Sequence, residues 1–392
     1  MTKSVPKSLI VLLASVFALS PFSIDTYLPA IPTITADLDV NIHWVSMTVS
    51  LFVFGLSIGQ LLGGQFSDRF GRQKVMSVGL VVFAIGSLAI SAAQSIQMLW
   101  LFRLLQSLGG GMAVACVPAL IRDNAEGREA ARLFSLIALI MMIAPSVAPS
   151  VGTIILSLLN WHFIFIFLGC LGLVLALASW KVVPKPKVEA SVHRPKLMSY
   201  TEVLKQRTVL GYLLSLAFGF SVMMIYLANT PFVYMEHFGI SEKAFSMLFL
   251  LNVVGLVSVN RLNAWLLKKH EPADLLVRFI QMQFSGAVIM LLSVIFLPEH
   301  IYGVALGFFI MVSANAGIMP NTNACYLQYF KQNAGKASGL LGFMQFFTAS
   351  IISGLVAYLS HDDLWIVVIG VIVCSSIALW GAKDGLKRQQ HH

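Results

Sequence analysis

Twelve long apolar runs, each parted from the next by a short polar connection, constrain this chain more than any other feature. They fall near 8–31, 44–66, 75–93, 98–120, 132–157, 162–180, 208–234, 243–267, 274–297, 300–322, 337–359 and 364–382. A helix needs roughly 20 apolar residues to cross about 30 Å of hydrocarbon, and each of these runs is close to that length. Composition agrees: 58% of the 392 residues are hydrophobic and 11% charged, against roughly 25% charged in a soluble domain. A chain this apolar can hide its surface only in lipid, where helices satisfy their own backbone groups. An all-α membrane protein with twelve transmembrane helices is therefore expected. The first run is too long for the apolar core of a signal peptide and holds Asp25, so it reads as a retained span.

The net charge of +9 does not point to nucleic acid, because no basic face is interleaved with exposed aromatics. The basic residues instead lie on one side of the expected membrane. Lys3, Lys7, Arg69, Arg72, Lys74, Arg122, Arg128, Arg132, a cluster over 181–207, Arg261, Lys268, Lys269, Arg278, Lys331, Lys336, Lys383, Lys387 and Arg388 share it. The other side holds Lys243 with the acids Asp37, Asp39, Glu236, Glu242, Glu299, Asp362 and Asp363. The positive-inside rule then places both termini in the cytoplasm of a bacterial-type inner membrane. The polar stretch 181–207, with Pro184, Pro186 and Pro195, divides the runs into two sets of six. Residues 1–180 and 208–383 are thus expected as two six-helix bundles joined by a cytoplasmic linker. Residues 384–392 would form a tail, in which His391-His392 reads as a purification-tag remnant.

Two charges stand clearly inside spans, Asp25 in the first and Arg103 in the fourth. Each costs at least about 2.5–3.5 kcal/mol to insert, so each should face a cavity or a partner. Both lie five or six residues from the outer end of their span, roughly 8–10 Å deep at 1.5 Å per residue. At that depth they could share one water-filled cavity. A carboxylate poised between desolvation and a nearby guanidinium can take a proton on one side and release it on the other. An outward-snorkelling structural role for Arg103 and a packing role for Asp25 remain the alternatives. Prolines and glycines also gather in the spans: Pro145, Pro149 and Gly152 in the fifth, Gly109, Gly110 and Gly111 in the fourth. Close helix packing explains them, and it suits helices that rock between states.

At these residues the sequence resembles the major facilitator superfamily, and within it the Bcr/CflA group of twelve-span drug/proton antiporters. Gly64-Gln65-Phe66-Ser67-Asp68-Arg69-Phe70-Gly71-Arg72-Gln73-Lys74 matches the superfamily's loop motif between the second and third spans. The resemblance implies a conformational role for Gly64, Asp68, Arg69, Gly71 and Arg72, with the arginines pairing with acids at the end of the fourth helix, where Asp123 stands. Arg103-Leu104-Leu105-Gln106-Ser107-Leu108-Gly109 resembles the fourth-helix motif, whose Arg is linked to proton coupling. Asp25-Thr26-Tyr27-Leu28-Pro29-Ala30-Ile31-Pro32 is similar to the first-helix signature of the Bcr/CflA group, whose Asp is implicated in protonation and substrate recognition. The run 145–152 resembles the antiporter motif of the fifth helix, with Ala144 and Ser150 where glycines are common. Asn229-Thr230-Pro231-Phe232 and Gly335-Lys336-Ala337-Ser338 also sit where the group has similar runs.

The resemblance implies a major facilitator fold and antiport of a small molecule against protons, by a monomer with no cofactor. Cavity-lining candidates are Tyr27, Phe54, Met141, Met142, Phe220, Met224, Tyr226, Asn229, Asn252, Asn315 and Gln345. Aromatics and methionines suit varied ligands, and a buried unpaired amide is costly enough to need a reason. A narrow-specificity importer or exporter of one solute, such as a nucleoside or siderophore, stays open on the same fold. A membrane enzyme is disfavoured: the histidines scatter over loops and span edges, the four cysteines lie singly in apolar runs, and no phosphate loop or metal set emerges. Neither a ring of like charges nor a filter-type run suggests a channel.

Overall fold

A computed structural model of the protein describes residues 6–125, 133, 144, 147–184, 207–330, 334–360 and 363–390. Within them the regular structure is helical. The chain divides into two compact units, Met1–Ala190 and Ser191–His392.

The first unit contains α1 (Lys7–Asp25), α2 (Ile31–Leu38), α3 (Ile42–Phe70), α4 (Arg72–Ile90), α5 (Ile96–Asn124), α6 (Val147–Leu158) and α7 (His162–Val182). The second contains α8 (Arg207–Thr230), α9 (Glu242–Leu266), α10 (Pro272–Phe296), α11 (Ile301–Leu327), α12 (Ala334–Leu359) and α13 (Leu364–Gln390). Eleven of the described spans are long and apolar enough to cross a membrane, α1 and α2 counting as one, and α6 is a shorter apolar helix. Of the expected fifth span, 132–157, only Leu133, Ala144 and 147 onward are described. Large apolar side chains point outward at helical spacing, as Val78, Val81 and Ile85 do on α4 and Val174 and Leu177 on α7. Such a surface suits lipid and would be an aggregation hazard in water.

Three boundaries differ from the sequence expectation. The first span is not one helix over 8–31: it stops at Asp25, turns through a 3-10 segment at Leu28–Ala30 and resumes as α2. The seventh widens after Thr230 into a π-helical turn, Pro231–His237, that carries it past 234. The last continues as helix to Gln390, so the expected tail from 384 is helical over most of its length. Prolines explain the first two: Pro29 removes the donor that would continue α1, and Pro231 removes one where the seventh span widens.

Small residues set the spacing inside each unit. In the first, α5 packs on α3 and α4, and α4 on α7. Glycines at 55, 59 and 63 form a stripe on α3 where any Cβ would overlap α5. On α4, a Cβ on Gly79 would lie 2.7 Å from the carbonyl oxygen of Gly109. In the second unit α11 takes the place of α5, packing on α9 and α10. Gly255 there abuts the Ser313 hydroxyl as Gly55 abuts that of Ser107. The two units are built on one helix-packing plan.

Candidate functional site

Why α1 stops at Asp25 follows from Pro29. A helix continuing through this point would bond the Asp25 carbonyl to the N–H four residues on, and proline has none. The turn that replaces it is buried throughout: Asp25 is 3% exposed, and Thr26, Tyr27, Leu28 and Ala30 are completely enclosed. The Thr26 hydroxyl bonds back to the Phe22 carbonyl at 2.6 Å, and among the described residues the Asp25 Oδ1 finds no hydrogen-bond partner. From α6, Gly152 presses directly on this turn, since a Cβ there would overlap the Thr26 carbonyl.

Arg103 on α5 is fully enclosed. Its Nη1 donates to the Ser23 carbonyl at 3.3 Å and to Gln106 Oε1 at 2.9 Å. The Ser23 carbonyl belongs to the last turn of α1, whose oxygens lack intrahelical donors and carry partial negative charge, so a guanidinium there is well placed. Gln106 in turn donates to Ser87 Oγ on α4 at 2.8 Å, and Ser87 to the Phe83 carbonyl at 2.8 Å. The rings of Tyr27, Phe165 and Phe52 surround the guanidinium. This corrects two sequence readings. Arg103 neither snorkels outward nor faces a water-filled cavity shared with Asp25; the structure brings it to the end of α1 without an ion pair to the Asp25 carboxylate.

At the other end of the unit, Gly71 separates α3 from α4 at φ 93°, a conformation that favours glycine. Arg72 bonds Asp68 Oδ1 at 2.7 Å, Asp123 Oδ2 at 3.2 Å and the Ser67 carbonyl at 2.7 Å. Arg69 instead lies over the Phe70 ring at 5.2 Å. Nothing lies within 4 Å of where a Cβ on Gly64 would stand. Pro149 is buried on α6, and Pro145, Met141 and Met142 lie outside the described residues.

The remaining candidates separate into distinct surroundings. Tyr27 is enclosed, its hydroxyl 2.6 Å from Thr48 Oγ1. Phe54 is half-buried on α3. In the second unit Asn252 donates to the Tyr226 hydroxyl at 2.7 Å, joining α9 to α8 beside Phe249 and Phe308. Asn229 and Asn315 bond back to carbonyls on their own helices, at 2.9 and 3.1 Å, and Asn229 Oδ1 stays unpaired. The Gln345 amide nitrogen is buried with no partner among the described residues. Phe220 meets Phe346 edge-on at 5.3 Å, and Met224 is buried. Tyr226→Phe should cost about 0.6–1.7 kcal/mol, the range for interhelical hydrogen bonds in membranes. A melting curve of the purified protein measures this, and an unchanged midpoint would show the bond contributes nothing.

Residues 13–354 match the family described as Major Facilitator Superfamily. The chain belongs to this superfamily. It is 29% identical over 348 residues to a bicyclomycin resistance protein homolog of Haemophilus influenzae, covering 88% of this chain and 87% of that one. It is 25% identical over 385 residues to a chloramphenicol resistance protein of Pseudomonas aeruginosa, covering 94% and 90%. Among solved structures, a bacterial homolog of the human lysosomal transporter Spinster, inward-facing and unoccupied, superposes with a TM-score of 0.73. That likeness spans 99% of both chains at 13% identity and shows the fold. The relatives agree with the Bcr/CflA drug-efflux group, and the superfamily makes this a multi-pass transporter of small molecules, not an enzyme.

Sequence reasoning missed the superfamily member's own supports for Arg103. Gln106, one helical turn beyond it, was readable as a same-face polar partner. Ser23 acts through its carbonyl, and Ser87, Phe52 and Phe165 carried no signal that set them apart.

Proposed function

We propose that the protein exports small lipophilic drugs or metabolites across the bacterial inner membrane in exchange for protons, by alternating access, with Asp25 as the protonation and substrate site. The observation that carries this reading is the Asp25 carboxylate, 3% exposed with Oδ1 unpaired at the end of a broken helix. A carboxylate so buried is costly to hold as a bare charge, so a proton or a ligand must answer for it. Exchange of one for the other couples the two fluxes. Arg103 supplies a fixed positive charge at the same helix end. The resistance names of the relatives support the cargo class.

On this reading Tyr27, Phe54, Phe220, Met224, Tyr226, Asn229, Asn252, Asn315 and Gln345 are candidates to line the path. Asp68, Arg72 and Asp123, tied around Gly71, would latch one conformational state, and Gly152 and Pro149 would let α6 move against the turn at Asp25. Both termini would face the cytoplasm, and the protein would act as a monomer.

Purified protein in liposomes with an imposed pH gradient tests the proposal. Drug-like substrates should move against their gradient, and an uncoupler should stop them. Uncoupler-insensitive movement would refute proton coupling. Transport of one natural solute with drugs ignored would instead favour the narrow-specificity alternative.

A further inference from the structure

Arg103 is a full charge enclosed by protein, and among the described residues no carboxylate pairs with it; three rings stand where one would be expected. The guanidinium carbon lies 3.8 Å from the centroid of Tyr27, 5.0 Å from Phe165 and 5.4 Å from Phe52. The rings come from the turn after α1, from α7 and from α3, and all three residues are completely buried. Among the described residues Nε and Nη2 of Arg103 have no oxygen or nitrogen acceptor, which leaves the negative ring faces as their partners. The rings are themselves held. Thr48 spends its hydroxyl proton on the Val45 carbonyl at 2.6 Å, so Tyr27 donates to Thr48 Oγ1. Phe165 lies tilted on Tyr27 at 5.9 Å and edge-on to Trp161 at 6.0 Å. Trp161 is anchored by its Nε1 donating to Asp37 Oδ2 at 3.0 Å.

We propose that Phe165 and Phe52, with Tyr27 held by Thr48, form an aromatic cage of positioning residues that stabilises Arg103 as a fixed charge without an acidic partner. A ring quadrupole stabilises a cation but carries no net charge. It therefore does not compete for Arg103 as a carboxylate would, and it leaves Asp25 free to exchange proton and substrate. The planar guanidinium suits this setting because it stacks on aromatic faces while its in-plane N–H groups reach Ser23 and Gln106. The cage stands on geometry alone; its bearing on coupling rests on the role proposed above for Asp25.

Two measurements on the full chain test it. The first is a double-mutant cycle in thermal stability of the purified protein, using Arg103→Met and Phe165→Leu, which keeps apolar bulk and removes the ring. The cage predicts that Phe165→Leu lowers the melting midpoint less when residue 103 is already uncharged. Additive shifts, here and in the parallel cycle with Phe52→Leu, overturn the cage. The second compares pH-gradient-driven transport with gradient-free substrate exchange in liposomes. Phe165→Leu should lower that ratio about thirtyfold, the scale of one desolvated cation–π contact, and Phe165→Tyr should restore it. An unchanged ratio, or no rescue by tyrosine, overturns the positioning role even if the cycle is non-additive. Asp25→Asn in the same assay separates the two readings: if it still transports on the gradient, the role of Asp25 fails while the stability cycle continues to decide the cage.

Discussion

Asp25→Asn is expected to reduce gradient-driven accumulation from about fiftyfold to unity, for one proton exchanged at a proton-motive force of about 100 mV. One charge moved through that force carries about 2.3 kcal/mol, and each 1.36 kcal/mol is a factor of ten in concentration. Asparagine has nearly the shape of aspartate and keeps the Oδ1 acceptor, but it cannot take up or release the proton. The fold should survive. The retained Oδ1 has no hydrogen-bond partner among the described residues, and a neutral amide is cheaper to bury than an uncompensated carboxylate. The melting midpoint should therefore hold or rise while concentrative transport disappears. Substrate exchange without a gradient should persist at a reduced rate, since the path remains. Liposomes with an imposed pH gradient measure both quantities in one preparation. Accumulation within twofold of the unaltered protein would remove Asp25 from the coupling mechanism.

Spans were legible because lipid imposes one length on every helix, and Asp25 and Arg103 were legible because each is expensive where it stands. The Gly71 turn was legible through the loop motif it belongs to: the structure holds Gly71 at φ 93°, which few residues tolerate, and Arg72 beside it meets the expected Asp123. Depth told only part of it. Counting residues from the ends of the spans put Asp25 and Arg103 level, and Arg103 does reach the Ser23 carbonyl two residues from Asp25, but its guanidinium is surrounded by rings. The sequence holds 27 phenylalanines, and on helices apolar all round no periodicity tells Phe165 or Phe52 from those that meet lipid. The break at Asp25 was readable in principle from Pro29, but a proline within an apolar run can kink a span as easily as end it. The second unit makes the point from the other side. Four residues before Ser107 stands Arg103, and four before Ser313 stands Phe309, although both serines meet a glycine of the neighbouring helix in the same way. Similar packing thus accommodates a caged charge in one unit and a phenylalanine in the other, and packing pattern alone does not say which unit carries the chemistry.

Gly152→Ala should act on the same turn from the opposite side, and without touching any charge. The added methyl would overlap the carbonyl oxygen of Thr26, a backbone atom with no rotamer to escape into. Either α6 moves away or the turn at residues 25–30 shifts. Overpacking of this kind costs about 1–3 kcal/mol, sometimes more, so the melting midpoint should fall by several degrees. The functional loss should be larger than the stability loss, because Thr26 is flanked by Asp25 and by Tyr27, whose ring lies on Arg103. Transport at full membrane insertion is expected to drop at least about tenfold, since a misplacement near 1 Å is enough to disturb a positioned site a hundredfold. Gly64→Ala is the control: it adds the same methyl inside α3 where nothing lies within 4 Å, so its midpoint should hold or rise slightly, alanine being the better helix former. If Gly152→Ala transports normally at normal stability, α6 does not bear on the turn as closely as the packing requires, and it loses its proposed part in moving against Asp25.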